Sequence, residues 1–121
     1  MEQMVSVAAI QMQCSADIEQ NLKKAEQMIR DAAGKGAQII LLPELFEREY
    51  FCQQRQYEFY EYARPAKEHP AVLLGIRLAE ELSVVLPVSF FERQGNTCYN
   101  SLACIDGDGK VLGIYRKTHI P

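Results

Sequence analysis

The stretch QIILLPELFEREYFCQ, residues 38–53, decides how this chain folds. Ile39, Ile40, Leu41 and Leu42 form a short apolar run, cut by Pro43 and followed at once by a carboxylate, Glu44. An apolar run of that length, bounded by a turn signal, reads as a buried strand. Open α/β sheets build their sites at the carboxyl ends of strands, where loops present side chains to a crevice. Glu44 lies just past the last position that pairs comfortably in a sheet. It is therefore the first candidate for a functional group, and its partners must come from elsewhere in the chain.

Upstream, residues 5–11 (VSVAAIQ) are apolar enough to predict a strand buried on both faces. Asp17 and Gln20 have the spacing of a capping box. Ile18, Leu22, Ala25, Ile29 and Ala32 then recur at helical spacing, with Lys23, Lys24, Glu26 and Arg30 on other faces. Gly34 and Gly36 supply an exit that tolerates left-handed backbone. Strand, helix and strand (residues 38–42) at these lengths predict a right-handed crossover between parallel strands.

Downstream, Tyr57, Phe59, Tyr60 and Tyr62 suggest a short helix ending before Pro65. Pro70 suits a first helical turn and opens a helix to about Leu82, with Val72, Leu73, Ile76, Ala79 and Leu82 near one stripe. Residues 84–91 (VVLPVSFF) read as a third strand, in which Pro87 signals an edge, a bulge or a bend. Residues 98–105 and 111–115 are two further strands. Asp106, Gly107, Asp108 and Gly109 join them as a hairpin turn, because Gly and Asp tolerate positive φ. The chain begins as parallel α/β and ends as an antiparallel meander.

Composition excludes several functions. A chain of 121 residues, 48% apolar and 24% charged, is expected to form one globular domain. A net charge of −3 argues against non-specific nucleic-acid binding, which needs a basic face. No apolar run approaches the ~18 residues of a membrane span. Residues 1–13 lack the basic and apolar regions of a signal peptide, so a cytoplasmic setting is expected, without membrane partners. Cys14, Cys52, Cys98 and Cys104 form no CxxC pair, and His69 and His119 lie far apart. Zinc-ligand spacing is absent, and free thiols are expected.

Glu44, Asn100 and Lys117 are each read as standing just past a strand end. Singly, such a residue is ordinarily a solvated loop side chain. Together, an acid and an ammonium at one sheet edge can hold a thiol as thiolate and stabilise a developing oxyanion. The Asp-Gly-Asp-Gly segment lacks the later ligands of a calcium loop, so the hairpin reading stands. His119 is expected to serve packing or the surface.

At these residues the sequence resembles the nitrilase (carbon–nitrogen hydrolase) superfamily. VSVAAIQM resembles its first strand, LLPELF the motif of its first catalytic glutamate, and YNSLACIDGDGKVLGIYRKTHIP the paired strands leading to its catalytic lysine. ELFEREYFCQ, KEHP, VVLPVSFFE and YRKTHIP are most similar to a branch that hydrolyses ureido amines. The resemblance implies an N-terminal half of a four-layer αββα sandwich: a mixed sheet with two main helices, residues 1–121 being part of one domain. It implies a thiol amidohydrolase with Glu44 as general base and Lys117 as oxyanion stabiliser. The implied substrate is a small ureido or amide molecule, with no metal or organic cofactor. The family's nucleophilic cysteine and second glutamate have no counterpart among these residues, so the chain by itself is expected to be inactive. The resemblance also implies a homo-oligomer, and open strand edges and apolar faces predict aggregation or pairing with other chains.

Overall fold

The computed structural model describes residues 2–48 and 61–118. Five strands and two helices follow in the order β1 (Val7–Ala9), α1 (Ile18–Gly34), β2 (Ile39–Leu41), α2 (Pro70–Leu82), β3 (Leu86–Gln94), β4 (Thr97–Ile105) and β5 (Val111–Arg116). β1 and β2 pair in parallel, Val7 opposite Ile39 and Ala9 opposite Leu41. β3, β4 and β5 form the antiparallel meander, with Leu86 opposite Ile105 and a bulge in β5, where Cys104 and Ile105 face Gly113 and Val111 and leave Leu112 as the extra residue. The two parts join where the Val85 amide donates to the Gln38 carbonyl (2.8 Å) and the Ile40 amide to the Val85 carbonyl (3.0 Å). A single parallel bridge, Ile39 to Val85, thus sets the two-stranded sheet β1-β2 edge to edge with the three-stranded sheet β3-β4-β5, as one mixed sheet layer.

α1 and α2 pack on one face of that sheet, over a core that includes Ile29, Ile40, Leu78, Leu86, Val88, Phe90 and Ile105. This corrects the expectation that β1 and β2 are buried on both faces. Both strands are shorter than expected, and Val7 is 70% and Leu41 46% exposed while Ile40 is fully buried. The period-2 alternation of strands is the reason: Ala8 and Ile40 face the helices, and Val7, Ala9 and Leu41 face the other way.

The helices begin as the sequence predicts. Asp17 Oδ1 accepts from the Gln20 amide (3.2 Å), and α2 opens on Pro70. The buried face of α2 is rotated from the expected stripe, however. Ala71, Val72, Leu74, Gly75, Leu78 and Ala79 are buried, whereas Leu73 is exposed. Gly75 is the cause: a Cβ there would lie 2.8 Å from both Ile105 Cδ1 and Val88 Cγ2. Its missing side chain lets the helix close directly on β3 and β4.

Pro87 lies in β3, an outer strand of the three-stranded sheet, which fits the edge reading of its sequence signal. The Val85 amide points to β2, and Pro87, two residues on, turns its nitrogen to the same side where β2 pairing has ended. Its missing N–H therefore breaks no ladder bond, and it marks the divergence of β2 from β3. Further along that side the Arg64 amide donates to the Phe91 carbonyl (3.2 Å), and the Arg93 amide to the Arg64 carbonyl (3.0 Å). The Asp106–Gly109 hairpin forms as expected, with Gly109 at φ 83° and its amide donating to the Asp106 carbonyl. Of the expected aromatic helix, residues 57–60 lie outside the described residues, and Glu61 and Tyr62 form a 3₁₀ turn. Among the described residues no helix is long and apolar enough to cross a membrane.

Candidate active site

Glu44 sits in the turn after β2, and Lys117 directly follows β5. Asn100 is not past a strand end, as its spacing suggested: it lies inside β4, opposite Phe91. The meander folds all three to one place, on the face away from the helices. Asn100 Nδ2 donates to Glu44 Oε1 (2.8 Å), and Lys117 Nζ pairs with the same oxygen. The Lys117 amide donates to the Asn100 carbonyl (2.9 Å), which carries the β4–β5 ladder one step beyond β5. Asn100 is buried, while the side chains of Glu44 and Lys117 are each 36% exposed. A fixed amide thus holds an acid and an ammonium that incoming molecules can still reach.

The turn that presents Glu44 is anchored on every side. Leu45 has φ 52°, a left-handed conformation that costs a non-glycine residue on the order of 1–2 kcal/mol. Its amide donates to the buried Ser89 hydroxyl (2.9 Å), and its side chain packs with Ala63 and Phe91. Asn21 Nδ2 of α1 donates to the Glu47 carbonyl (2.8 Å). His69, fully buried, caps α2 by accepting from the Ala71 amide on Nδ1 (3.1 Å). That bond leaves the proton of a neutral ring on Nε2, which lies 3.3 Å from Glu47 Oε1. The guanidinium of Arg48 stacks 3.5 Å from the Tyr62 ring centroid. Strain held by surrounding contacts is common at working sites. Nothing in residue spacing signals the Ser89 anchor, which bonds an amide 44 residues away, whereas His69 caps its own helix and only its approach to Glu47 depends on the tertiary fold.

The described cysteines Cys14, Cys98 and Cys104 are free. Burial pushes the Cys14 thiol up, against the tendency of Lys24 to lower it, and that is the wrong direction for a nucleophile. Cys98 packs beside Leu45, Ala63 and Phe91 as a small hydrophobe. Cys52 and His119 lie outside the described residues. Among the described residues no cluster of His, Cys, Asp or Glu could hold a metal ion.

The family description "carbon-nitrogen hydrolase" matches residues 6–121. Among curated relatives, the N-carbamoylputrescine amidase of Arabidopsis thaliana is 52% identical over 97% of this chain and 39% of its own length. A citrullinase of Francisella tularensis is 46% identical over 97% of this chain and 41% of its own. The crystal structure of a carbon-nitrogen hydrolase from Helicobacter pylori superposes with a TM-score of 0.87 at 25% identity, covering 97% of this chain and 40% of that one. The chain thus spans about two fifths of the length of these relatives.

Proposed function

The chain belongs to the carbon-nitrogen hydrolase family, and from that premise we propose that it supplies the acid–ammonium half of an amidase site acting on a small ureido substrate. The single observation that supports this most is the convergence of Asn100 and Lys117 on one oxygen of Glu44. Glu44 is the general base that takes the proton from a cysteine thiol, and Lys117 is the cation that faces the developing oxyanion. Asn100 fixes the carboxylate so that little reorganisation is needed when charge moves.

The chemistry follows from these roles. The thiolate attacks the carbonyl carbon of R–NH–CO–NH2, and the electron pair of the C=O bond moves to oxygen, beside Lys117. Collapse of the tetrahedral species, with a proton returned to nitrogen, expels ammonia and leaves R–NH–CO–S–Cys. Water, losing its proton to Glu44, hydrolyses that thioester to the carbamic acid and regenerates the thiol. The carbamic acid then breaks down to the amine R–NH2 and carbon dioxide. The preferred substrate in this reading is N-carbamoylputrescine, giving putrescine, carbon dioxide and ammonia in polyamine synthesis. Relatives named for N-carbamoylputrescine and for citrulline, both of which carry a terminal ureido group, support the class. A cytoplasmic homo-oligomer belongs to the same proposal, supported by free thiols and by exposed Val7, Leu41 and Tyr115 on the face away from the helices.

A hybrid tests the reading: residues 6–121 of this chain joined to the remaining C-terminal portion of the Arabidopsis relative. It is expected to release ammonia from N-carbamoylputrescine, and this chain alone is expected to release none. A folded hybrid that turns over ω-amides but no ureido compound would overturn the substrate class.

A further inference from the structure

The last step of the β4–β5 ladder carries a second acid–cation–hydroxyl cluster that the proposed chemistry does not use. Arg116 and Lys117 are consecutive, as are Asn100 and Ser101, so strand alternation sends one of each pair to either face of the sheet. On the reacting face Asn100 and Lys117 meet Glu44. On the helix-bearing face Ser101 and Arg116 meet Glu92. Ser101 Oγ donates to Glu92 Oε1 (2.8 Å), Arg116 Nε to the same oxygen (2.9 Å), and Arg116 Nη2 to Glu92 Oε2 (3.1 Å). The Arg116 guanidinium also stacks 4.3 Å from the Tyr99 ring centroid and bonds the Gln94 side chain. Glu92 is buried, and its carboxylate is held by three donors in a fork geometry.

We propose that the Glu92–Arg116 fork is a positioning device for Lys117. It fixes the rotation and register of the chain where β5 ends, so that the next side chain is delivered to Glu44 on the opposite face. Two features favour positioning over stability alone. First, the Arg116 side chain keeps 38% of its surface exposed, and an ion pair with one partner in contact with water contributes little net stability. Second, the fork lies on the last paired residue, Arg116, opposite Ser101, where β5 would otherwise fray. The hydrogen bond from the Lys117 amide to Asn100 passes the constraint on by one residue.

The inference deepens the proposed site, but its test reads the Glu44–Lys117 pair directly and needs no catalysis. Failure of the amidase reading therefore leaves the outcome interpretable. A lysine nitrogen held against a carboxylate is less accessible to an acylating reagent than a free one, so acylation of lysines in the folded chain by a small anhydride, followed by mass spectrometry, reports the pair. Lys110 at the β4–β5 turn serves as the internal reference.

In Glu92→Gln the ratio of Lys117 to Lys110 labelling is expected to rise about two- to fivefold, the weight of an exposed ion pair. Arg116→Lys, which keeps a cation and loses the fork, should raise it in the same direction. Glu26→Gln, which breaks an exposed pair between the helices, should leave it unchanged. In a Glu44→Gln background the Glu92→Gln change should add nothing, since the pair is already broken; an equal further rise there would mean that the fork acts on the strand and not on the pair. If Glu92→Gln unfolds the chain, Lys110 labelling rises as well, and Arg116→Lys then decides. An unchanged Lys117 ratio in a folded Glu92→Gln or Arg116→Lys chain would overturn the proposal.

Discussion

Glu44 and Glu92 are two glutamates with the same kind of partners and opposite circumstances. Glu92 is buried, accepts three hydrogen bonds and is shielded on the helix-bearing side. Glu44 keeps 36% of its side chain exposed, on the side that the helices leave bare. The Arg116 guanidinium, helped by the Ser101 hydroxyl against the cost of burial, holds the Glu92 carboxyl below its usual range. A carboxylate committed so fully to its donors is a poor proton acceptor. A carboxylate held by one amide and one ammonium, and reachable from outside, can still meet an incoming proton donor. The same strand alternation sets the partners of both, and burial is what distinguishes the two acids.

The largest expected effect breaks the comparison on the reacting side. Lys117→Met in the hybrid should lower kcat by about a hundred- to a thousandfold, the weight of a lost oxyanion donor. Its melting temperature should stay near that of the parent. Next in size, Glu92→Gln should destabilise the chain by about 1–3 kcal/mol, because the Ser101 hydroxyl and the guanidinium lose a charged acceptor in a buried setting. Denaturant unfolding followed by circular dichroism reads that loss.

Acid should reach the same bond. The usual value for Glu92 is 4.5, and the folded chain lowers it. The charged form therefore contributes stability that is fully present above 4.5 and is lost as the pH falls through the lower folded value. The exposed network of Glu26, Arg30, Arg77 and Glu81 joins α1 to α2, and its acids are also lowered, chiefly by hydrogen bonds from the arginines. Salt should weaken that network more than the Glu92 fork, in which the carboxylate is buried although Arg116 is 38% exposed. Melts at two ionic strengths and across pH 7 to 3 separate the two.

The smallest effects compare the two faces by a single methyl group. Gly75→Ala drives a Cβ against Val88 and Ile105. Overpacking of that kind costs about 1–3 kcal/mol, and the better helix propensity of alanine offsets roughly 1 kcal/mol of it. Gly113→Ala in β5 meets nothing within 4 Å and should leave the melt unchanged.

Much of the fold was legible because local chemistry agreed with the tertiary outcome. Asp17 caps α1, Pro70 opens α2, and Gly109 turns the hairpin, each for a reason carried by the residue itself. Glu44 and Lys117 were legible because a strand end and a following charge are local signals. Other features depend on what packs opposite. The rotation of the α2 face follows from Gly75 meeting two side chains of distant strands. Pro87 signalled an edge, a bulge or a bend, and the point where β2 leaves β3 decides for the edge. The exposure of Val7 and Leu41 depends on which face the helices choose, and an apolar strand does not announce that. Ser89 was invisible as an anchor because it bonds the Leu45 amide, 44 residues away, which only the fold brings to it, and the approach of His69 to Glu47 is tertiary in the same way.

The most direct test of the division between the two acids is Glu44→Gln in the hybrid, with turnover of N-carbamoylputrescine and thermal melting measured on the same sample. Glutamine keeps the size of the side chain and an oxygen for Asn100, and it removes the proton acceptor. The expected result is a loss of turnover of about a hundredfold or more, the reach of a general base, with an unshifted melt. Turnover within a factor of about three of the parent, far short of that reach, would contradict the assignment of Glu44 as the working acid.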